Sequence, residues 1–183
     1  MRIFDTWQEQ LRLRTLRKAQ MNINVHRQPV SFSEAQRIGV FFEATDLMVR
    51  SQALTFIQQM EQSKKRVTSL GYFDGQQQKT DHFSFKTFTK SELDWLGRPR
   101  RDIISTYTEP VFDFLICIYQ DQCHPLDYLA ALSSAHCRIG SQAEQAEYYD
   151  LIIDTSSKEI RTYLKEVAFY LNKINQKYEP SYV

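Results

Sequence analysis

Glycine and proline are scarce, with 5 of each in 183 residues. That excludes collagen-like repeats and linker-dominated chains. It also leaves no GxGxxG or GxxxxGK[ST] loop, the glycine-rich turns that bring backbone amides close to phosphate. Cysteine is rare and odd in number, at positions 117, 123 and 137 with no CxxC. A secreted disulfide framework is therefore disfavoured, and reduced thiols in a cytoplasmic protein are expected. No apolar run approaches the 18 or more residues of a membrane span, and residues 1–9 lack the apolar core of a signal peptide. Net charge is also small: 23 Lys and Arg against 22 Asp and Glu. An even balance argues against a whole-molecule nucleic-acid or membrane-surface binder.

What is abundant is core-forming sequence, 42% hydrophobic and 13% aromatic, enough for one folded domain at this length. The expected division is a basic helical extension at 1–27, one α/β domain at 36–175 and a tail at 176–183. The extension holds Arg2, Arg12, Arg14, Arg17, Lys18 and Arg27 against Asp5 and Glu9, so the rest of the chain is mildly acidic.

Along the chain, residues 4–20 are strong helix formers, with Phe4, Trp7 and Leu11 on one stripe. Arg37–Glu43 reads as a short apolar strand. A helix capped by Thr45 or Asp46 follows and ends on Lys64, Lys65 and Arg66, a sign of charge suited to its dipole. Further strands are expected at Arg66–Phe73, His82–Thr89, Phe112–Tyr119, His136–Ser141 and Leu151–Thr155. Helices are expected at 100–110, from Pro125 to about Ala135, and from a Ser156 or Ser157 cap to Lys173. Strands alternating with helices predict a doubly wound, mostly parallel sheet, a flavodoxin-like or Rossmann-like three-layer sandwich with a basic N-terminal helix.

In such a fold, ligands sit beyond the carboxyl ends of the strands. That directs attention to Glu43, Asp46, Asp74, Asp121 and His124. Two carboxylates after the first strand would repel phosphate, which disfavours dinucleotide or P-loop binding, and no cofactor is expected. The same carboxylates could hold Mg²⁺, or could serve only as caps and turn residues. Cys123-His124 and His136-Cys137 resemble a zinc set. A helix of about 16 Å separates them, too far for one ion, so no metal is expected. Cys123 beside His124 lacks a third orienting group for nucleophilic catalysis. Tyr148-Tyr149 and Tyr178–Tyr182 read mainly as packing, with a contact patch as the alternative.

The feature with most interaction potential is the basic helix. Trp7 and Leu11 can anchor in a groove, and Arg12, Arg14, Arg17 and Lys18 can meet an acidic face. The first expectation is accordingly a non-enzymatic protein that works by association with a protein partner or with itself, ahead of nucleic acid. The alternative is a small enzyme or ligand- or Mg²⁺-binding protein with its site at the carboxyl edge.

The segments Ile38–Asp46, Leu93–Pro99, Phe112–Ile116, Pro125–Ser133 and Arg138–Gly140 together resemble a family of small uncharacterised α/β proteins of Bacteroidetes, grouped as a domain of unknown function. The family usually has Asp where this chain has Glu43. The resemblance implies a cytoplasmic α/β protein and supplies no activity.

Overall fold

The computed structural model describes residues 2–21, 23, 25, 27, 30–75, 83–141, 147–154 and 159–174. Among them the order is α1 (Arg2–Gln20), β1 (Arg37–Glu43), α2 (Leu47–Gln62), β2 (Arg66–Phe73), β3 (Lys86–Thr89), α3 (Arg101–Thr108), β4 (Phe114–Ile118), α4 (His124–Leu132), β5 (Cys137–Gly140), β6 (Leu151–Ile152) and α5 (Ile160–Lys173). The six strands form one sheet in the order β3-β2-β1-β4-β5-β6, every pair parallel. This is the doubly wound, Rossmann-like arrangement expected from the alternation, and its winding reverses between β1 and β4.

Strand parity builds the three layers. Ile38, Val40 and Phe42 of β1 and Phe114, Ile116 and Ile118 of β4 pack on one face with Val49, Ala53, Phe56 and Ile57 of α2 and Tyr163, Leu164 and Val167 of α5. Phe41, Leu115 and Cys117 pack on the other face with Leu16 of α1, Ile103 of α3 and Leu126, Leu129 and Ala130 of α4. All five residues of β4 are buried, because helices cover both faces of a parallel sheet. Each fully buried Phe, Ile or Leu contributes about 1.5–3 kcal/mol.

Several local departures from the sequence pattern have identifiable causes. The predicted strand at 112–119 begins at Phe114, since the Asp113 carboxylate turns back to accept the amides of Gln36 (2.7 Å) and Arg37 (2.9 Å) at the start of β1. Phe83 and Phe85 precede β3 and stack on one another 5.0 Å apart, with Phe85 against Phe42 at 4.8 Å. They plug the core instead of extending the strand, and His82 lies outside the described residues. After β3 the chain makes a single 3₁₀ turn over Lys90–Glu92. Asp46, not Thr45, caps α2. That helix ends before its expected basic terminus, because Lys64 takes the left-handed conformation (φ 60°). Lys65 then donates to the carbonyls of Phe32 and Ala35, both at 2.7 Å. Glu159 occupies the N-cap position of α5 without a side-chain capping bond, and Ser156 and Ser157 lie outside the described residues.

The first helix is docked on the body. Leu16 is buried, Leu13 and Ala19 pack on the same cluster, and the Gln20 amide donates to the Ala131 carbonyl at 3.4 Å. Further along, Arg27 donates to the carbonyls of Ala135 (2.7 Å) and Ser133 (3.0 Å).

Candidate ligand crevice

Where β1 and β4 lie side by side, α2 leaves to one face and α4 to the other, and the gap between them opens a crevice of about 720 Å³. Glu43, Asp46, Asp74, Asp121 and His124 all line it, brought together from the ends of β1, β2 and β4. Lys90 after β3, Trp95 from the loop that follows, and Arg12 from α1 complete the wall.

The electrostatics explain what this crevice accepts. Asp46 Oδ1 accepts the amides of Met48 (2.7 Å) and Val49 (3.0 Å). Glu43 accepts those of Thr45 (2.7 Å) and Asp46 (3.2 Å). The α2 N-terminus, where a phosphate would dock in a nucleotide-binding relative of this fold, is thus filled by the protein's own carboxylates. Asp74 pairs with Lys90 at 3.0 Å and accepts the Tyr72 hydroxyl at 3.2 Å, while its amide donates to Thr45 Oγ1. Burial, followed by the neighbouring Asp74 charge, pushes the Tyr72 phenol well up from its usual range. Asp94 is held by Arg98 at 2.6 Å. Asp121 stands exposed with no hydrogen-bond or ion-pair partner among the described residues.

Although they share the crevice, these carboxylates do not gather into a cation cage. Among the described residues no group of three or more His, Cys, Asp or Glu is arranged to hold a metal ion. The paired Cys-His segments stand at opposite ends of the sheet, Cys123-His124 after β4 and His136-Cys137 at the start of β5. Cys123 is buried, and burial raises its thiol well above the ordinary value, which opposes a thiolate role.

A smaller chamber of about 210 Å³ adjoins the crevice and shares Arg12, Gly97, Gln122 and His124 with it. Its other lining residues include Leu13 and Leu16 of α1, Leu96, Tyr128, Tyr148 and Asp127. Asp127 is only 2% exposed. Its Oδ1 accepts hydroxyls from Tyr119 (2.6 Å) and Tyr149 (2.8 Å), which also meet each other at 2.9 Å. Its Oδ2 is buried without a hydrogen-bond partner among the described residues. Burial pushes the Asp127 carboxyl up to about 6, against the lowering effect of the two hydroxyls. This group escaped the sequence reading. The available signal was a lone carboxylate on the otherwise apolar stripe of Ala130 and Ala131.

The residues expected to meet a partner are divided by the docking of α1. Arg12 faces the crevice and donates through Nε to the Leu96 carbonyl. Trp7 stacks on Trp95 with centroids 6.4 Å apart and planes 25° from parallel, both rings largely exposed. Leu11 is half-buried, while Arg14, Arg17 and Lys18 are exposed, Arg17 reaching Glu147 at 3.4 Å. Tyr148 and Tyr149 are buried, in keeping with a packing role, and Tyr178–Tyr182 lie outside the described residues. No described helix is long and apolar enough to cross a membrane.

Residues 8–174 match a family of unknown function (DUF6913). No curated protein and no solved structure matches the chain.

Proposed function

The chain belongs to that family of unknown function, and from the chemistry of the crevice we propose that it binds a small organic cation at the carboxyl edge of its sheet. The supporting observation is the convergence of Glu43, Asp46, Asp74, Asp121 and His124 on one crevice where carboxylates already accept the amides around the α2 N-terminus. A carboxylate-rich recess favours positive charge and repels phosphate. The exposed Trp95 ring on its wall adds a face for cation–π contact. Binding, and not turnover, is proposed because Glu43 and Asp46 are engaged as caps, Asp74 is ion-paired and the adjoining thiol is buried.

The test is calorimetric titration of the full chain with organic ammonium ions and with phosphate monoesters. Ammonium binding that weakens in Asp121→Asn supports the reading. Phosphate ester binding without ammonium binding would overturn it.

A second reading, association with an acidic protein or a second copy through α1, is supported by one surface. Trp7, Arg14, Arg17, Lys18 and Met21 are exposed along this helix while Leu13 and Leu16 pack inward. Charge reversal at Arg14 and Lys18 tests it better than deletion of the helix, which would strip Leu16 from the core. Unchanged light scattering and an unchanged set of captured proteins would count against it. A cytoplasmic setting and a Bacteroidetes distribution also belong to the proposal, supported by three free, buried thiols and by the likeness of the segments quoted above.

A further inference from the structure

We propose that the side chamber is the seat of a primary ammonium head group, which donates an N–H hydrogen bond to Asp127 Oδ2. This rests on the crevice reading and narrows it to a cation that carries N–H donors. The first support is the orphaned oxygen. An ionised carboxyl offers acceptor sites on both oxygens, and here Oδ1 takes two tyrosine hydroxyls while Oδ2, buried, takes no donor among the described residues. A buried polar atom left unpaired costs stability, and Ala130 and Ala131, one turn on along the same face and both buried, show that an apolar residue suits this helix face. An acid retained there has a use if a ligand supplies the missing donor.

The second support is the cavity itself. Asp127 lines a chamber of about 210 Å³, walled by Leu13, Leu16 and Leu96, that is contiguous with the crevice through Arg12 and His124. That volume suits a head group and a short stem rather than a whole metabolite of drug-like size. The third is charge. Across chamber and crevice seven Asp and Glu side chains stand against three Arg and Lys, so a cation is attracted before any short-range contact forms.

Two probes that differ in N–H donors test it: ethanolamine, and choline, which keeps the charge and the hydroxyl but has no N–H. Calorimetry on the full chain at neutral pH is expected to show ethanolamine binding at least about tenfold more tightly, a preference worth one well-made charged hydrogen bond. In Asp127→Asn, checked for native circular dichroism, ethanolamine affinity is expected to fall to that of choline. A measurement on the unmutated chain covers the case in which that variant does not fold. Near pH 6, calorimetry in two buffers of different ionisation enthalpy should show ethanolamine releasing more protons than choline, because its N–H bond adds to the charge attraction by which either cation favours the ionised carboxyl. Equal affinities, or a preference that persists in Asp127→Asn, would overturn the Asp127 assignment and leave the crevice reading intact. Binding of neither cation would overturn both.

Discussion

Arg12 of α1 donates from Nε to the carbonyl oxygen of Leu96, 84 residues further along the chain. Beside that bond, Gly97 adopts φ +74°, and a Cβ there would stand 3.2 Å from the Arg12 guanidinium. The N-terminal helix and the 93–99 loop therefore hold each other, and the Trp7–Trp95 stack extends the same junction. Because Arg12, Gly97 and Trp95 all line the crevice, the basic helix forms part of its wall.

Gly97→Ala is accordingly expected to cost about 1–2 kcal/mol in urea denaturation, since a left-handed backbone disfavours any Cβ. Trp7 and Trp95 are the only two tryptophans, so emission reports on this junction directly. Arg12→Ala should red-shift it by exposing the stack further. Unshifted emission in Arg12→Ala would show that the Arg12–Leu96 bond does not hold this junction.

Asp46→Ala should destabilise the fold by about 1 kcal/mol, the usual worth of an N-cap. Glu43→Gln should cost less, because a carboxamide oxygen can still accept one of the two amides. A combined loss no larger than that of Asp46→Ala alone would mean that the Glu43 contacts add nothing to capping. Neither change should create phosphate affinity, since removing two carboxylates does not supply the glycine-rich approach that a phosphate needs.

How far this was legible in sequence depends on the range of the interaction. Ile38–Phe42 and Phe114–Ile118 declared themselves as both-face-buried strands, because consecutive apolar residues have few other uses at that length. The edge residues followed from topology, since side chains after parallel strands share one rim. Asp127 did not, because its partners Tyr119 and Tyr149 come from two other segments. Nor did the placing of Arg12, whose partner Leu96 is distant in sequence. Pattern reads one element at a time, and these contacts exist only between elements.

Asp127 gives stability a definite pH slope. Its carboxyl is raised to about 6 in the folded chain from an ordinary 3.8, so between those values the native state holds a proton that the unfolded state has released. Unfolding free energy therefore falls as pH rises through that window, and the penalty is complete above it. Asp127→Asn removes the titration and keeps an oxygen for the tyrosines. Relative to the unmutated chain it should gain on the order of 3 kcal/mol between pH 4 and pH 7. A difference that does not change with pH would refute the assignment.

Asp150 anchors the opposite edge of the fold. Its carboxylate accepts from Arg138 Nε and Nη2, both at 2.9 Å, and from the Arg138 amide at 2.8 Å. Arg27 Nε lies 3.9 Å away, and burial with repulsion from Arg138 lowers the Arg27 pKa. Asp150→Ala would leave the buried Arg138 charge facing Arg27 uncompensated, at a cost of about 3 kcal/mol in chemical denaturation. Replacing Arg138 as well, as Arg138→Met with Asp150→Leu, should recover most of that loss. If the double variant is no better than Asp150→Ala, the damage comes from packing and not from the orphaned charge.

Gly140 of β5 links the sheet to the Asp127 group by leaving room for a ring. A Cβ at that position would meet Tyr149 carbons at 2.6–2.7 Å, closer than packed atoms approach. Tyr149 lies flush on the strand for want of that atom, and so brings its hydroxyl within 2.8 Å of Asp127. Gly140→Ala must push the ring outward, at a cost of about 1–3 kcal/mol for overpacking, and the hydroxyl moves with it. Losing one of two donors weakens support for the ionised carboxyl, so the pH slope described for Asp127 should move to higher pH in this variant. Tyr149→Phe separates the two consequences, because it removes the hydroxyl without crowding the strand. It should reproduce the displaced slope with a smaller loss of stability. A Gly140→Ala protein with the unmutated pH profile would show that Tyr149 does not govern the ionisation of Asp127.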